Sequence, residues 1–274
     1  MKKEYSGFSI VIANYNSGKY LEDALLSVIR QNYPAVELIV MDAGSTDNSV
    51  DIIRKYEEHI AYWVSEKDKG QSDAFNKGFA KAKNEWLLWL NADDFLCESS
   101  LYELDKAIKA NPKHKWFCFD TLYSDETGKC LHSFVGPDWN NFFMKRLGPN
   151  VCSATTCFHR EVLQASMGFD LDLYYAMDLD LWFQFMNLGY AYKQVHSFVY
   201  VVRFNESSKT FNEGFNTKRS QARLDQTAYL LEKNHFKVQY KWLNAFRLYK
   251  VLTGGFNRVL AECKYRGKNL IWWK

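Results

Sequence analysis

The chain has 274 residues, of which 47% are hydrophobic and 24% are charged, a composition that is typical of a soluble globular protein. Its formal net charge is only +3, so the chain as a whole gives no sign of a nucleic-acid partner. Its six cysteines show neither CxxC nor Cys/His metal spacing, which favours free thiols in a reducing compartment. The first residues lack an apolar signal-peptide core, and no apolar run approaches the roughly 20 residues that span a bilayer. We therefore expect a cytoplasmic protein.

The first 97 residues alternate short apolar strands with amphipathic helices. Residues 8–13 (FSIVIA) and 36–41 (VELIVM) are short runs rich in Ile and Val, which predict buried strands. Between them, apolar residues recur at helical spacing from Leu21 to Ile29, and Pro34 ends this helix. The same rhythm continues with a helix that carries Val50 and Ile53, then with a strand over 61–65 and a helix over 72–82.

The stretch over residues 85–95 (EWLLWLNADDF) is the centre of this half. Five consecutive apolar residues end abruptly in Asn91-Ala92-Asp93-Asp94, which predicts a strand buried on both faces. Two adjacent carboxylates beyond a buried strand are costly unless a positive charge meets them. A hard divalent cation prefers oxygen ligands and often brings substrate phosphates with it. The stretch therefore indicates a metal site, although a pair of aspartates that only caps the next turn stays open as an alternative.

Strands that alternate with helices through short connections predict a parallel, doubly wound sheet whose strands end along one edge. In such sheets, ligands bind beyond the carboxyl ends of the strands. The polar residues that follow these strand ends should therefore line one crevice: Asn14, Asp42, Glu66, Asp68, Asp73, Asp93 and Asp94. Strand ends are commonly polar, so each residue alone could be a turn former. Their clustering is what favours a functional site.

After Leu96 the alternation of strands and helices loosens. The predicted elements are helix 99–111, strand 115–123, strand 130–135, helix 138–147, strand 153–159, helix 160–165, a helix from Asp178 that ends at Gly189, strand 192–204 and a polar loop over 205–209. We expect the strand over 115–123 to lie at a sheet edge and to pair with 130–135 as a hairpin.

The residues from about 211 to 274 predict a helical extension. Its end, FNRVLAECKYRGKNLIWWK, mixes basic and aromatic residues. Such a segment could hold the protein at a membrane surface, or it could pack on the sheet as a lid. The sequence leaves both interpretations open.

The residues at the expected crevice suit a nucleotide diphosphate. The chain has neither G-x-x-x-x-G-K-[ST] nor G-x-G-x-x-G, so a phosphate would be held by a metal and by helix N-termini, with Lys69 or Lys77 adding positive charge. Asp42 could accept a base N–H, and Tyr15 offers a ring near the same strand end. Asp178 lies in the first turn of its helix, where the helix dipole favours an ionised carboxylate. It is the candidate base for an acceptor hydroxyl, and a helix-start carboxylate without chemistry is the alternative.

Four ordered blocks, SIVIANYN, VMDAGSTDNS, SEKDKGQSDAFNKG and WLLWLNADDF, closely resemble the inverting family 2 glycosyltransferases with a GT-A fold. The similarity continues through FHREVLQASMGFDLDLYYAMDLDLWFQFMNLGY, which looks like the acceptor-side segment of that family, and it covers about residues 8–205. The resemblance implies an α/β fold with a mostly parallel central sheet flanked by helices. We expect a GT-A domain over 1–210, with a nucleotide-binding half over 1–97 and an acceptor-binding half over 98–210. A C-terminal helical extension over 211–274 would follow it.

The resemblance also implies roles for individual residues. Ala13 and Tyr15 would line the base pocket, Asp42 would contact the nucleobase, and Asp73 with the loop around Gly70 would touch the nucleotide. Asn91-Ala92-Asp93 stands in the place of the metal-binding D-x-D, which puts Asn91 in the nucleotide site and makes Asp93 the expected ligand of Mg²⁺ or Mn²⁺. Asp178 stands in the place of the catalytic base.

Three positions depart from the family pattern. Asn91 replaces the usual first aspartate, Met177 stands where a glutamate commonly precedes the base, and Asn205 stands where a histidine is frequent. The central carboxylates are all present, so we still expect activity.

The resemblance implies a metal-dependent, inverting glycosyltransferase of the hexosyltransferase type. It would move a sugar from a nucleotide-diphosphate sugar, UDP-linked in the first instance, to a hydroxyl of a glycan or lipid-linked glycan in cell-surface polysaccharide or glycan biosynthesis. It would work in the cytoplasm or at the inner face of the membrane, without nucleic acid. Two alternatives stay open. A sugar nucleotidyltransferase would show a glycine-rich basic loop where this chain has ANYNSGKY, and a non-catalytic module would bind a sugar nucleotide without turning it over.

Overall fold

The computed structural model of the chain describes residues 4–149, 155–205 and 217–273. Three of the predicted features fall partly outside these described residues. They are the beginning of the strand expected over 153–159, the polar loop expected over 205–209 and the beginning of the extension near 211.

Strands and helices alternate along the described residues in nearly the predicted order. The strands are β1 (Phe8–Asn14), β2 (Val36–Asp42), β3 (Tyr62–Ser65), β4 (Trp86–Asn91), β5 (Phe95–Leu96), β6 (Trp116–Ser124), β7 (Cys130–Phe134), β8 (Thr156–His159) and β9 (Lys193–Arg203). The α-helices are α1 (Gly18–Ile29), α2 (Ser49–Lys55), α3 (Gln71–Lys81), α4 (Ser100–Ala110), α5 (Asn141–Leu147), α6 (Arg160–Ala165), α7 (Met177–Asn187), α8 (Thr217–Lys233) and α9 (Leu243–Tyr265). The short strand β5 is an element that the sequence did not predict.

The strands β1 to β4 form a parallel half-sheet in the order β3-β2-β1-β4. A helix lies in each crossover between consecutive strands, which lets the next strand run in the same direction. The register places Asn14 beside Asp42 and Ala13 beside Asn91. The carboxyl ends of three neighbouring strands therefore meet at one edge, as the sequence predicted.

The sheet continues beyond β4 in the order β8-β6-β9-β5, with β7 paired to β6. Strand β8 is antiparallel to both of its neighbours, whereas β6 and β9 are parallel, so the second half of the sheet is mixed. The hairpin of β6 with β7 is confirmed. The expected edge position of the strand over 115–123 is wrong, because β6 lies between β8 and β9. Both of those partners come later in the chain, where a local pattern does not reveal them.

The core lies on both faces of the sheet. In β4, Leu88 and Leu90 pack into one cluster, which includes residues of α1 and α4, while Leu87 and Trp89 pack into a second cluster with residues of α3 and α7. All four side chains are at most 5% exposed. Burying an apolar side chain of this size contributes about 1.5–3 kcal/mol. The prediction that this strand is buried on both faces is therefore confirmed.

The residues from 217 to 273, which include α8 and α9, pack on the rest of the described chain. Leu230 of α8 and Phe246 of α9 are buried in the cluster that includes α3 and α7. After α9 the chain returns to the sheet, where Ile271 joins a small cluster around Phe95 and Trp273 meets the Phe95 ring edge-on at 5.5 Å. Within the described residues, no helix combines the length and the apolar character needed to cross a membrane. The very end of the extension thus packs on the sheet.

Candidate active site

A network around Asp42 joins the ends of β1, β2 and β3. Asn14 Nδ2 donates to Asp42 Oδ1 at 2.6 Å, and the Ser65 hydroxyl donates to Asp42 Oδ2 at 2.5 Å. Ser45 donates to the same carboxylate twice, from its backbone N–H at 3.0 Å and from its hydroxyl at 2.5 Å. Asp42 is only 2% exposed, and these four bonds fill the acceptor sites of a carboxylate. Asp42 therefore fixes three strand ends, and it would reach a ligand only after Ser45 or Ser65 moved.

Ala13 and Tyr15 flank this network. Ala13 is half-buried and lies beside Asn91 of β4, whereas the Tyr15 side chain is 63% exposed. The turn that carries Tyr15 is held from the other side, because the Asn16 backbone N–H donates to Ser45 Oγ at 2.8 Å. Tyr15 thus offers a flat apolar ring at the mouth of a polar crevice, an arrangement that suits stacking on a planar group.

The loop before α3 is organised by Gly70 and Asp73. Gly70 has a backbone φ of +107°, a value that residues with a side chain rarely adopt. Its N–H donates to Asp68 Oδ1 at 2.8 Å. Asp73 Oδ2 accepts the Lys69 backbone N–H at 3.1 Å and lies 3.0 Å from Lys77 Nζ. Although partial burial raises it, the bonds from Lys77 and Lys69 lower the pKa of Asp73 below its usual 3.8. Asp73 and Lys77, both expected near the nucleotide, are therefore bonded to each other.

The turn after β4 is held by α3 and by β9. Gln71 Nε2 donates to Asn91 Oδ1 at 2.8 Å, and Asn91 Nδ2 donates to Asp94 Oδ2 at 2.9 Å. From β9, the Tyr200 hydroxyl donates to Asp94 Oδ2 at 2.9 Å, and the Arg203 backbone N–H donates to Asp94 Oδ1 at 2.9 Å. Asp94 is only 3% exposed. Of the two adjacent aspartates, Asp94 thus faces the interior and has a structural role.

Asp93 is the carboxylate of this turn that stays half-exposed. Asn205, which follows β9, donates from Nδ2 to Asp93 Oδ2 at 2.9 Å. Burial, together with the charge of Asp93, raises the pKa of Asp94 to about 8. A cation at Asp93 would relieve this crowding of like charges.

The residues present fit a divalent cation that is shared with a substrate. Among the residues that the structure describes, no group of three or more His, Cys, Asp and Glu could hold a metal ion without help. Mg²⁺ is commonly bound through one or two carboxylates, with substrate phosphates and water as its other ligands. A single accessible carboxylate at Asp93, beside an amide at Asn205, matches that kind of site better than a closed protein cage.

A buried arginine supports the turn from behind. The Arg203 side chain is 1% exposed, and its guanidinium bonds to Asp23 of α1 at 3.0 Å. It also lies 4.9 Å from the ring centre of Tyr20 and 5.0 Å from that of Phe95. These contacts tie α1 and β5 to the end of β9. The sequence reasoning gave no role to Tyr200 or Arg203, although an arginine that ends a largely apolar strand was a signal for the second.

The N-terminus of α7 lies against the N-terminus of α3. The Ser72 hydroxyl donates to Met177 Sδ at 3.2 Å, so Met177 packs on the first turn of α3, directly after Gly70. Asp178, in the first turn of α7, is half-buried. Asp180 is only 1% exposed and lies 3.0 Å from Lys233 Nζ of α8. Since Asp180 is held inside, Asp178 is the carboxylate of this pair that a ligand can approach.

The predicted residues are therefore connected through two sets of contacts. Strand register brings Ala13, Asp42 and Asn91 to one edge of the sheet. The bond from Gln71 to Asn91 then joins the N-terminus of α3, just after Gly70, to that edge. The Ser72–Met177 contact joins the helix of Asp178 to the same end of α3.

The sequence is similar to one family model and to several known proteins. The sequence model of glycosyl transferase family 2 matches residues 9–164, which is more than half of the chain. An uncharacterized glycosyltransferase of Rickettsia typhi is 28% identical over 192 residues, which cover 67% of this chain and 60% of that protein. A poly-beta-1,6-N-acetyl-D-glucosamine synthase of Staphylococcus epidermidis is 31% identical over 113 residues, which cover 40% of this chain and 27% of that protein. The chain thus spans less than two thirds of the length of either relative.

Two solved structures share the fold. TarS of Staphylococcus aureus, residues 1–349 in complex with UDP-GlcNAc, has a TM-score of 0.58 at 18% identity, and the match covers 94% of this chain and 80% of that one. A mannosyltransferase of Pyrobaculum calidifontis in complex with GDP-Man and Mn²⁺ has a TM-score of 0.56 at 19% identity, with coverages of 85% and 74%. Likeness at such identities concerns the fold alone, and it confirms the fold class that the sequence predicted.

Proposed function

This chain belongs to glycosyl transferase family 2, and on that premise we propose that it is a metal-dependent, inverting hexosyltransferase. It takes a sugar from a nucleotide-diphosphate sugar, UDP-linked in our proposal, and transfers it to a hydroxyl of a glycan or lipid-linked glycan. The observation that carries the proposal is the placement of the turn that contains Asp93. The turn directly follows Asn91, which accepts a hydrogen bond from Gln71 at the N-terminus of α3 and lies beside the end of β1.

The metal proposal depends on Asp93 and Asn205. Asp93 would supply a carboxylate oxygen to Mg²⁺ or Mn²⁺, and the Asn205 amide would orient that carboxylate, as its 2.9 Å bond to Asp93 Oδ2 suggests. When bound, such a cation neutralises charge on the diphosphate leaving group. The chain has neither the P-loop motif nor the dinucleotide-binding motif, so in this proposal the cation is the main partner of the phosphates.

The nucleotide would lie over the ends of β1 and β2. Tyr15 is exposed enough to stack on a base, and Ala13 leaves room beside it. Asp42 would act mainly through the groups it holds, Ser45 and Ser65, since its carboxylate already accepts four hydrogen bonds. Gly70 and Asp73 would shape the loop that meets the phosphates, and the open space at Gly70 would let the backbone approach them.

Asp178 would act as the general base. It lies in the first turn of α7 and is half-buried, so an acceptor hydroxyl can approach its carboxylate. The acceptor hydroxyl loses its proton to the Asp178 carboxylate while its oxygen bonds to the anomeric carbon of the donor. The bond from that carbon to the phosphate oxygen breaks, and the nucleoside diphosphate leaves from the opposite side. One displacement of this kind inverts the configuration and needs no covalent enzyme intermediate.

The donor and the setting are proposed by analogy with the relatives. TarS was solved with UDP-GlcNAc, and the staphylococcal relative is a poly-beta-1,6-N-acetyl-D-glucosamine synthase, which favours a UDP-linked sugar and a cell-surface polysaccharide or glycan. We propose that residues 1–210 form the transferase domain, with 1–97 binding the nucleotide and 98–210 the acceptor, and that 211–274 form an extension. The site of action would be the cytoplasm or the inner face of the membrane.

A matched pair of variants tests the proposal. A panel of UDP- and GDP-sugars is incubated with Mn²⁺ and the purified chain, and release of the nucleoside diphosphate is followed. Asp178→Asn should lower release by about 100-fold or more, the scale of general base catalysis, while donor binding is kept. Asp172→Asn, an exposed aspartate outside α7, is the control and should keep full activity.

Three results would contradict the proposal. Equal activity of Asp178→Asn and the control would remove Asp178 from the mechanism. Release of pyrophosphate from a nucleoside triphosphate and a sugar phosphate would instead indicate a nucleotidyltransferase. Tight donor binding without any turnover in the unaltered chain would indicate a binding module.

A further inference from the structure

One side of α9 carries an exposed apolar strip. Leu248, Val251 and Leu252 are 60%, 63% and 76% exposed. Their spacings of three and four residues place them on the same side of the helix. A contiguous exposed apolar patch, especially one with polar residues around it, often marks a surface that meets another protein or a membrane.

The opposite side of α9 is already in use. Phe246 is 4% exposed and lies 5.2 Å from the Phe143 ring of α5, and Tyr249 lies 5.1 Å from the same ring. The Tyr249 hydroxyl also donates to the Asp138 backbone carbonyl at 3.2 Å. These contacts fix how the helix is rotated, so the strip of Leu248, Val251 and Leu252 points away from the residues that the structure describes around α9.

The charge of this part of the chain is strongly positive. Residues 236–274 carry nine Lys or Arg and a single Glu, whereas the preceding 235 residues carry 26 Lys or Arg and 31 Asp or Glu. The one acidic residue, Glu262, accepts the Ser133 backbone N–H at 3.0 Å. The exposed basic residues of the segment lie on both sides of the strip in the sequence, and they include Lys241, Arg247, Lys264, Arg266 and Lys268.

We propose that α9 and the basic segment that follows it dock the protein on the surface of an anionic phospholipid bilayer. The strip of Leu248, Val251 and Leu252 would enter the boundary between headgroups and acyl chains, and the lysines and arginines would meet the headgroup phosphates. Helices of this composition lie in the plane of the interface, and basic residues near an anionic leaflet each add to binding. A bilayer surface is favoured over a second copy of the chain, because two strongly basic surfaces repel each other.

A short series of contacts connects the end of the chain to the candidate active site. After α9, Trp272 Nε1 donates to the Leu96 backbone carbonyl at 3.1 Å, and Trp273 packs on Phe95. The residues at 95–96 come directly after the turn of Asp93 and Asp94. The proposal goes beyond the transferase function and does not depend on it, because lipid binding is measured without any sugar nucleotide.

Vesicle flotation with the full chain tests the proposal. One set of vesicles contains phosphatidylcholine alone, and the other contains phosphatidylcholine and phosphatidylglycerol in equal parts. The chain should float with the anionic vesicles and stay behind with the neutral ones. Raising the salt from about 0.1 M to about 0.5 M should release much of it, because salt screens exposed charges.

Two sets of substitutions separate the apolar and the basic contributions. Leu248→Gln with Leu252→Gln should weaken vesicle binding by about tenfold, since buried apolar area sets part of the affinity. Lys264→Gln with Arg266→Gln and Lys268→Gln should weaken binding to a similar extent and reduce the salt dependence. Met167→Gln with Leu171→Gln is the matched control, because both residues are exposed apolar side chains outside the extension, 80% and 42% exposed. The control should float like the unaltered chain.

The replaced side chains are exposed, so each variant should keep the thermal unfolding midpoint of the unaltered chain. Failure of the unaltered chain to float with anionic vesicles would overturn the proposal. Equal binding of the Leu248→Gln, Leu252→Gln variant and the control would overturn it as well. Light scattering that shows a dimer, lost on the same two substitutions, would assign the strip to self-association instead.

Discussion

The Tyr200 hydroxyl of β9 donates a 2.9 Å hydrogen bond to Oδ2 of Asp94 in the turn after β4. The Tyr200 hydroxyl oxygen also accepts the Asn91 backbone N–H at 3.2 Å. One side chain therefore holds both ends of the segment that presents Asp93. Because Tyr200 is 2% exposed, water does not readily replace its hydroxyl when it is lost.

Replacing Tyr200 by Phe should keep the ring packing and remove only the hydroxyl. Asp94 and the Asn91 N–H then lose a buried partner, which should lower the free energy of unfolding by about 1–3 kcal/mol. The thermal shift produced by Mn²⁺ with a sugar nucleotide should also decrease, since Asp93 is held less firmly. Tyr102→Phe is the control, because that tyrosine is 40% exposed and its hydroxyl donates one hydrogen bond, to the Asn32 backbone carbonyl. If both variants unfold alike in urea, Tyr200 does not support the turn.

The buried pair of Arg203 and Asp23 predicts a large loss of stability. Arg203→Met should leave the Asp23 carboxylate, 12% exposed, without its guanidinium partner. Removing one member of a buried ion pair typically costs about 3–5 kcal/mol. Arg54→Met removes a pair whose members are 64% and 81% exposed, and it should be nearly neutral. Urea unfolding of the two variants measures the contrast, and a similar midpoint for both would show that the Arg203 pair contributes little.

The pair of His196 and Asp120 predicts a dependence of stability on pH. His196 Nδ1 lies 3.2 Å from Oδ2 of Asp120, whose side chain is 0% exposed. The hydrogen bond with Asp120 raises the pKa of His196 above its usual 6.5, and burial raises the pKa of Asp120. The folded state therefore binds protons more tightly than the unfolded state at both groups. The stabilisation from His196 should be complete below pH 6.5 and should be lost as the pH rises through the folded pKa.

This dependence can be measured with a His196→Gln variant. The unaltered chain should be more stable than the variant at about pH 5.5, and the difference should shrink by about pH 8. His59→Gln removes an ion pair with Glu58 whose side chains are 47% and 81% exposed, so it is the control and should change the free energy of unfolding little. A difference between the unaltered chain and His196→Gln that grows with pH would contradict the assignment.

The parallel half of the fold was predictable because its signals are local. Short apolar runs, helical spacing and polar strand ends lie close together in the sequence, and their order alone places Asn14, Asp42 and Asn91 along one edge. Asp178 was a candidate base from its place in the first turn of a helix, and the resemblance to a known family then implied its role as the catalytic base. The position of β6 was not predictable, because β8 and β9, which lie on either side of it, come later in the chain.

The polar partners that hold the candidate site in place were not predictable from nearby sequence either. Tyr200 and Asp94 are 106 residues apart in the sequence, and Arg203 and Asp23 are 180 apart. Nothing near Asp42 in the sequence indicates that Ser65 completes its hydrogen bonds. Polar partners of this kind are fixed by tertiary packing, so the sequence could indicate which carboxylates matter and not what holds them.

Titration calorimetry of a sugar nucleotide, with and without Mn²⁺, tests the central claim most directly. The unaltered chain should bind UDP-GlcNAc at least about tenfold more tightly with Mn²⁺, an effect worth roughly 1.4 kcal/mol, because the cation neutralises the diphosphate at Asp93. Asp93→Asn should lose this gain, while Asp172→Asn should keep it. A gain that persists in full in Asp93→Asn would contradict the account, and so would a chain that binds neither UDP- nor GDP-linked sugars whatever ion is supplied.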